Sequence, residues 1–149
     1  MISFRKITEE NFKAIIEMKR PEGENYDASN VVSLAQAWLY LENGDVYPFA
    51  IYAGDLPVGF MLLDEDVEKL RLLLWRIMFP PEHTGKGYGT EAIRLLISLA
   101  RESGKYDGLY LTYAPDNVIA EHVYKKLGFT LTGEINEEYG ELEMCLKLQ

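Results

Sequence analysis

The alternation of apolar and polar residues predicts the elements of this chain from its N-terminus onward. Residues 2–7 alternate with a period of two and are predicted as the first strand. Helical spacing then predicts two helices, one over 8–19 with Thr8 as its N-cap and one over 31–41. The segment between them, residues 20–29, is polar and is predicted to be irregular.

Apolar runs in the middle of the chain predict three consecutive strands. Residues 46–53 and 57–63 are predicted as a hairpin joined around Gly54 and Asp55, and an acidic turn follows over 64–68. Residues 70–79 are apolar at nearly every position, which predicts a strand that is buried on both faces and central in its sheet.

The second half of the chain alternates helices with strands. The predicted elements are a helix over 89–103, a strand over 108–114, a helix capped by Asp116 and closed by Gly128, and a final pair of strands over 129–133 and 142–148. The complete order, β-α-α-β-β-β-α-β-α-β-β, predicts an α/β (α+β) fold with a mixed sheet and helices on both faces.

A glycine-rich turn, Glu-His-Thr-Gly-Lys-Gly-Tyr-Gly-Thr at 82–90, joins the central strand to the next helix. Three alternating glycines let the backbone approach a bulky anion, and the helix N-terminus adds unpaired N–H groups and a positive dipole. Lys86 adds a formal charge. The turn predicts a phosphate or pyrophosphate site. Its spacing fits neither a Walker loop, because Gly87 follows the lysine, nor a dinucleotide fingerprint, because position 90 is Thr.

A second motif lies in the last predicted helix, Asn-Val-Ile-Ala-Glu-His-Val-Tyr-Lys-Lys-Leu-Gly-Phe at 117–129. Together the two segments resemble the GNAT acyltransferase superfamily, whose motifs are [QR]-x-x-G-x-[GA] and N-x-x-A-x-x-x-Y-x-K-x-G-F. The second pattern is matched at Asn117, Ala120, Tyr124, Lys126, Gly128 and Phe129. The first departs from it at Thr84, where Gln or Arg is usual, so the resemblance implies main-chain contacts there and not a long side-chain contact.

The resemblance covers essentially the whole chain and implies one GNAT-type domain over 1–149, with about seven mostly antiparallel strands. It implies acetyl-CoA as co-substrate, with a backbone N–H near the end of the central strand as oxyanion donor. Pro80 and Pro81 have no N–H and would help this strand part from its neighbour. The implied coenzyme-binding residues are Ile77, Met78, Phe79, Thr84, Gly85, Lys86, Gly87, Tyr88, Gly89, Thr90, Asn117 and Lys126.

Tyr124 is implied as the general acid that protonates the departing thiolate. The alternative is that Tyr124 has only a structural role in the core, since apolar residues share its helix. The base is left open. Many relatives carry a carboxylate on the central strand, but residues 72–75 read Leu-Leu-Leu-Trp. A carboxylate from 22–27 or 64–68, or a water chain, is an equal alternative.

Further segments, at 26–30, 33–37, 47–52, 57–60 and 75–78, resemble the bacterial spermine/spermidine N-acetyltransferases. This resemblance implies a polyamine acceptor, which would need spaced carboxylates and aromatic faces. Arg76 is predicted to face away from Trp75 and to be structural. The candidate acceptor-binding residues are Glu22, Glu24, Tyr26, Asp27, Asp64 and Glu65, with Trp38 and Tyr139 beside them.

Composition narrows the classes of partner, location and cofactor that fit this chain. The formal net charge of −9 opposes a nucleic-acid partner and favours a cationic small molecule. No apolar run reaches the roughly 18 residues of a membrane span, and no signal-peptide layout opens the chain. A lone cysteine, Cys145, excludes an internal disulfide and favours the cytoplasm. His83 and His122 lie in no metal-ligand spacing, so no metal is predicted.

Three alternatives to a small-amine acetyltransferase stay open from the sequence. In the first, the enzyme acetylates an amine of a protein or peptide. In the second, the chain is a non-catalytic acyl-CoA sensor, and in the third it is an unrelated nucleotide-binding protein. Edge pairing of strands between subunits is common in the superfamily, so the resemblance also implies a homodimer.

Overall fold

The computed structural model describes residues 1–21 and 28–149 and has the predicted order of elements. Its helices are α1 (Phe12–Glu17), α2 (Asn30–Leu39), α3 (Tyr88–Ser103) and α4 (Val118–Lys126), with 3₁₀ turns at Leu41–Asn43 and Pro81–His83. Its strands are β1 (Ile2–Lys6), β2 (Val46–Ala53), β3 (Leu56–Asp66), β4 (Arg71–Met78), β5 (Gly108–Tyr113), β6 (Thr130–Asn136) and β7 (Glu141–Lys147).

The seven strands form one sheet in the order β1-β2-β3-β4-β5-β7-β6, and every pair is antiparallel except β4 with β5. One face packs against α3 and α4 through a core that includes Leu72, Leu74 and Ile93. The other face packs against α1 and α2 through a smaller core around Ile15 and Phe60. The predicted fold class, a mixed sheet with helices on both faces, is confirmed.

The parallel pair at the centre of the sheet separates after four residues. Arg71–Leu74 of β4 pairs with Gly108–Leu111 of β5, and beyond Leu74 the described residues of β4 pair with β3 alone. Pro80 and Pro81 follow the strand and offer no N–H for further pairing. The two strands therefore splay apart and leave a wedge-shaped opening at their C-terminal ends.

A β-bulge in β4 changes which side chains face the opening. Leu62 pairs with Arg76 and Leu63 with Leu74, so Trp75 is an extra residue on β4. The bulge puts Arg76 on the same face as Trp75, with the guanidinium 4.8 Å from the centroid of the indole ring. The prediction that these two side chains face opposite ways was wrong, because strict alternation fails at a bulge.

Several element boundaries also differ from the predictions. Helix α1 begins at Phe12 and its N-cap is Asn11 rather than Thr8. The acidic run does not begin as a turn, because β3 continues to Asp66 and pairs Asp64 with Leu73 of β4. The cap of α4 is Asn117 rather than Asp116, and the Asn117 side chain accepts a hydrogen bond from the Ala120 N–H at 3.2 Å. Among the described helices, none is long and apolar enough to cross a membrane.

Candidate active site

The glycine-rich turn presents its main chain to open space. Gly85 and Gly87 have φ of +75° and +80°, a region that L side chains rarely adopt, and a Cβ on either would meet nothing within 4 Å. Gly87 is the N-cap of α3, and its carbonyl accepts the first intrahelical bond, from the Glu91 N–H at 3.1 Å. The first N–H groups of this 16-residue helix have no acceptor within the helix, an arrangement that suits an anion.

The turn opens into a cavity of about 290 Å³, which we call the turn cavity. Most of the predicted turn residues line it, together with His83 and residues of α4. The lining includes Thr84, Gly85, Gly87, Tyr88, Gly89 and Thr90. The Thr84 hydroxyl donates to the Pro81 carbonyl at 2.9 Å, so this side chain closes the 3₁₀ turn. Lys86 is exposed and lies outside the lining.

A second cavity, of about 210 Å³, occupies the splay between β4 and β5, and we call it the wedge. Tyr124 lines both the wedge and the turn cavity, as do Ile77 and Phe79. The Tyr124 ring packs between Tyr113, 6.2 Å away between centroids, and Phe129, 5.9 Å away. A catalytic position and partial packing in the core are thus compatible for this tyrosine.

Three other predicted coenzyme residues have different surroundings. Met78 lines the wedge, but its side chain is buried toward α1 and α2, where Sδ accepts a hydrogen bond from Asn30 Nδ2 at 3.5 Å. Asn117 lines the wedge while its side chain caps α4. Lys126 is exposed and lines neither cavity.

A third cavity, of about 590 Å³, runs across the other side of the splay, and we call it the groove. Aromatic and acidic side chains line it. These are Asp64, Trp75, Tyr110, Tyr139, Glu141 and Glu143. Burial, followed by the charges of Asp45 and Asp66, raises the pKa of the Asp64 carboxyl above its ordinary value of 3.8. Asp64 therefore favours a positive ligand, which would relieve this repulsion.

Glu65 lies outside the lining of the groove, unlike its neighbour Asp64. Its Oε1 accepts a hydrogen bond from the Tyr47 hydroxyl and its Oε2 accepts one from the Tyr106 hydroxyl, both at 2.5 Å. The bond to Glu65 raises the pKa of Tyr47 to about 12, and burial together with the same carboxylate raises the pKa of Tyr106. Glu65 ties strand β3 to β2 and to the segment that leads into β5.

The model of the acetyltransferase (GNAT) family matches residues 9–129. The chain belongs to the GNAT acetyltransferase family. The predicted enzyme class, an acetyl-CoA-dependent N-acetyltransferase, is confirmed with it.

Curated relatives of this GNAT chain include two polyamine acetyltransferases. The spermine/spermidine N(1)-acetyltransferase of Bacillus subtilis strain 168 is 29% identical over 145 residues, covering 91% of each protein. The spermidine N(1)-acetyltransferase of Escherichia coli K12 is 35% identical over 65 residues, covering 44% of this chain and 35% of that enzyme.

Solved structures share the GNAT fold at lower identity. The spermidine N-acetyltransferase from Vibrio cholerae in complex with CoA and spermine has a TM-score of 0.79 at 18% identity, covering 99% of this chain and 95% of that one. A dodecameric structure of the Vibrio cholerae enzyme has a TM-score of 0.77 at 18% identity, with 99% and 94% covered. At these identities the likeness concerns the fold.

Four predicted acceptor residues of the GNAT chain lie outside the described residues: Glu22, Glu24, Tyr26 and Asp27. Described residues close to that segment line the cavities: Arg20 lines the wedge and Ala28 lines the groove. Trp38 is 76% exposed and does not line the groove, whereas Tyr139 does.

Sequence reasoning missed the acidic side chains of β7. Glu141 and Glu143 alternate with Leu142 and Met144, so they share one face of the strand. The antiparallel register places Glu143 opposite Thr112 of β5, which also lines the groove. The signal was present in the alternation, but it pointed to a ligand site only once β7 was known to lie beside β5.

Because Asp64 and Glu65 have different surroundings, replacing each carboxylate by its amide should change the stability in opposite directions. Glu65→Gln should lower the free energy of unfolding by about 1–3 kcal/mol, because it weakens two hydrogen bonds to a carboxylate. Asp64→Asn should raise stability near neutral pH. Since folding raises the pKa of Asp64, its ionised form costs stability above that pKa, and the cost vanishes below 3.8. Urea unfolding of both variants from acidic to neutral pH checks these signs; a loss for Asp64→Asn equal to that for Glu65→Gln would contradict them.

Proposed function

We propose that this enzyme transfers the acetyl group of acetyl-CoA to a primary amine of a linear polyamine such as spermidine or spermine. One observation carries the proposal: the wedge shares lining residues with the turn cavity on one side and with an acidic and aromatic groove on the other. Five of the described residues line both the wedge and the groove, and they form the seam where the two substrates would meet: Leu74, Trp75, Arg76, Thr112 and Glu141.

The coenzyme half of the proposal rests on main-chain groups. The diphosphate binds at the N–H groups of 84–90 and at the dipole of α3, with the exposed Lys86 adding positive charge from outside. The pantetheine arm follows the wedge, where the unpaired edge of Ile77 to Phe79 supplies an N–H to the thioester oxygen. Tyr124 lines this path and donates its proton to the departing sulfur.

The acceptor half rests on charge and shape. A polyamine carries separated ammonium groups on a flexible apolar chain. The groove offers Asp64 and Glu143 to the charges, and the exposed ring of Tyr139 offers an aromatic face. Trp75 and Tyr110 also line it, each with one ring face against an arginine. The net charge of −9 draws such a cation toward the chain. The named activity of the Bacillus subtilis relative supports this acceptor class.

An acceptor screen tests the proposal directly. The full chain is incubated with acetyl-CoA and a thiol-detecting dye, and candidate amines are compared at equal concentration: spermidine, spermine, an aminoglycoside, amino acids and a lysine-containing peptide. The expected result is CoA release with the polyamines at a kcat/KM at least about tenfold above the others. Turnover with the peptide alone would indicate a protein acetyltransferase, and CoA binding without turnover would indicate a sensor; either result overturns the polyamine proposal.

A further inference from the structure

The acceptor amine reaches the enzyme with a proton that must be removed. An alkylammonium like that of lysine has a pKa of about 10.4, so at neutral pH only about one molecule in 2,500 is the free amine, which costs roughly 4–5 kcal/mol. Strand β4 offers no carboxylate for this task in the wedge, since residues 72–75 are Leu-Leu-Leu-Trp. The proton acceptor has to come from another element.

We propose that Glu141, the first residue of β7, is the general base that takes this proton, an assignment that rests on the proposed function. Glu141 lines both the wedge and the groove. Among the five described residues that line both cavities, it alone carries a carboxylate. An amine that enters from the groove and attacks in the wedge passes this side chain.

The structure holds Glu141 at the seam from two sides. Its Oε2 lies 3.5 Å from the Thr112 hydroxyl of β5, which donates to it. Its strand is paired with β5 on one edge and with β6 on the other, which fixes the backbone at the mouth of the splay. The carboxylate is half-buried, so solvent reaches it and can carry the proton away.

Charged and titratable groups line both cavities with Glu141. In the groove they are Asp64, Arg76, Tyr110, Tyr139 and Glu143, and in the wedge they are Arg20, Arg76, Tyr113 and Tyr124. Arg76 donates to the Ser33 hydroxyl at 3.0 Å and to the Gln36 side-chain oxygen. Those bonds connect Arg76 to α2, and its guanidinium lies over the indole ring of Trp75.

The reaction forms one C–N bond, breaks one C–S bond and releases one proton. The ammonium group gives one proton to the Glu141 carboxylate, and the neutral amine attacks the thioester carbon, forming the C–N bond. The C–S bond then breaks, and the thiolate takes the proton of the Tyr124 hydroxyl. The second proton of the nitrogen returns to the Tyr124 phenolate. Glu141 releases its own proton to solvent, so the products are the amide, CoA and one proton.

Two matched substitutions test this assignment, Glu141→Gln and Glu143→Gln, because both residues lie on the same face of one strand and only the first lines the wedge. For Glu141→Gln we expect kcat to fall by about 100-fold at neutral pH, the scale of a lost general base. The deficit should shrink as pH rises toward about 10, since the free amine then forms without help. For Glu143→Gln we expect a higher KM for spermidine with kcat within about threefold of wild type.

The controls keep the result interpretable. The melting temperature and the affinity for CoA should match the wild type in both variants. Glu141→Ala should recover part of its rate when formate is added, because the small acid can occupy the vacated position. A kcat within about threefold of wild type for Glu141→Gln, or a deficit of the same size at every pH, overturns the assignment. Absence of turnover in the wild-type chain would instead overturn the proposed function.

Discussion

Tyr124→Phe is expected to lower kcat for polyamine acetylation by about 100-fold to 1,000-fold, the usual range for a lost general acid. The ring of Tyr124 packs against Tyr113 and Phe129, and Phe preserves that packing while removing only the hydroxyl. The departing thiolate then has to take its proton from water. The affinity for CoA should change by less than about twofold, because the lost interaction belongs to the transition state. Steady-state kinetics with spermidine, together with calorimetry for CoA, measure the two effects separately.

Tyr113→Phe is the matched control for this prediction. Tyr113 also lines the wedge and touches the Tyr124 ring, but it is only 3% exposed, and burial raises the pKa of its hydroxyl. Its removal should leave kcat within about threefold of wild type. An equal loss in both variants would show that the effect is not specific to the Tyr124 hydroxyl, which contradicts its role as the proton donor. Unchanged turnover for Tyr124→Phe at every pH would contradict the general-acid role.

Gly87→Asp is expected to weaken CoA binding by about 100-fold or more. It places a carboxylate at the N-cap of α3, where the proposal places the diphosphate, and a Cβ there points into open space. At a separation near 4 Å, two unit charges repel by about 4 kcal/mol at an effective dielectric constant of 20, which is more than that loss requires. Asp tolerates the left-handed backbone better than most residues, so the chain should stay folded.

Gly104→Asp controls for the backbone at the other end of the same helix. Gly104 is the C-cap of α3 with φ of +66°, and a Cβ there also meets nothing within 4 Å. The two variants carry the same new charge and a similar conformational cost, but only Gly87 lines the turn cavity. Gly104→Asp should bind CoA within about twofold of wild type. Similar affinities for the two variants, measured by thermal shift across a CoA series, would show that the turn does not hold the coenzyme.

The parts of the fold that depend on local pattern could be predicted. The strand, the glycine turn and the helix start across 70–90 each follow from residue type, and β4, the turn at 84–87 and α3 lie at the predicted places. Gly128 adopts φ of +102° after α4, as a closing residue should. Such features need only a few neighbouring residues, so periodicity and turn chemistry are sufficient to find them.

The missed features depend on contacts between distant strands. The bulge at Trp75 is set by the register of β3 against β4, and it placed Arg76 on a face that strict alternation excludes. The different surroundings of Asp64 and Glu65 depend on Tyr47 and Tyr106, which are remote in sequence. Glu141 reaches the seam only because β7 pairs beside β5. Local pattern carries no information on these pairings.

The most direct test of the account is a calorimetric titration of the full chain with CoA, acetyl-CoA and ATP under the same conditions. The proposed main-chain site at 84–90 predicts that CoA and acetyl-CoA bind with Kd of about 1–100 μM, and that ATP, which has no pantetheine arm to fill the wedge, binds at least about tenfold more weakly. Heat from neither form of the coenzyme, or equal binding of ATP, would contradict the acetyl-transfer site described for this chain.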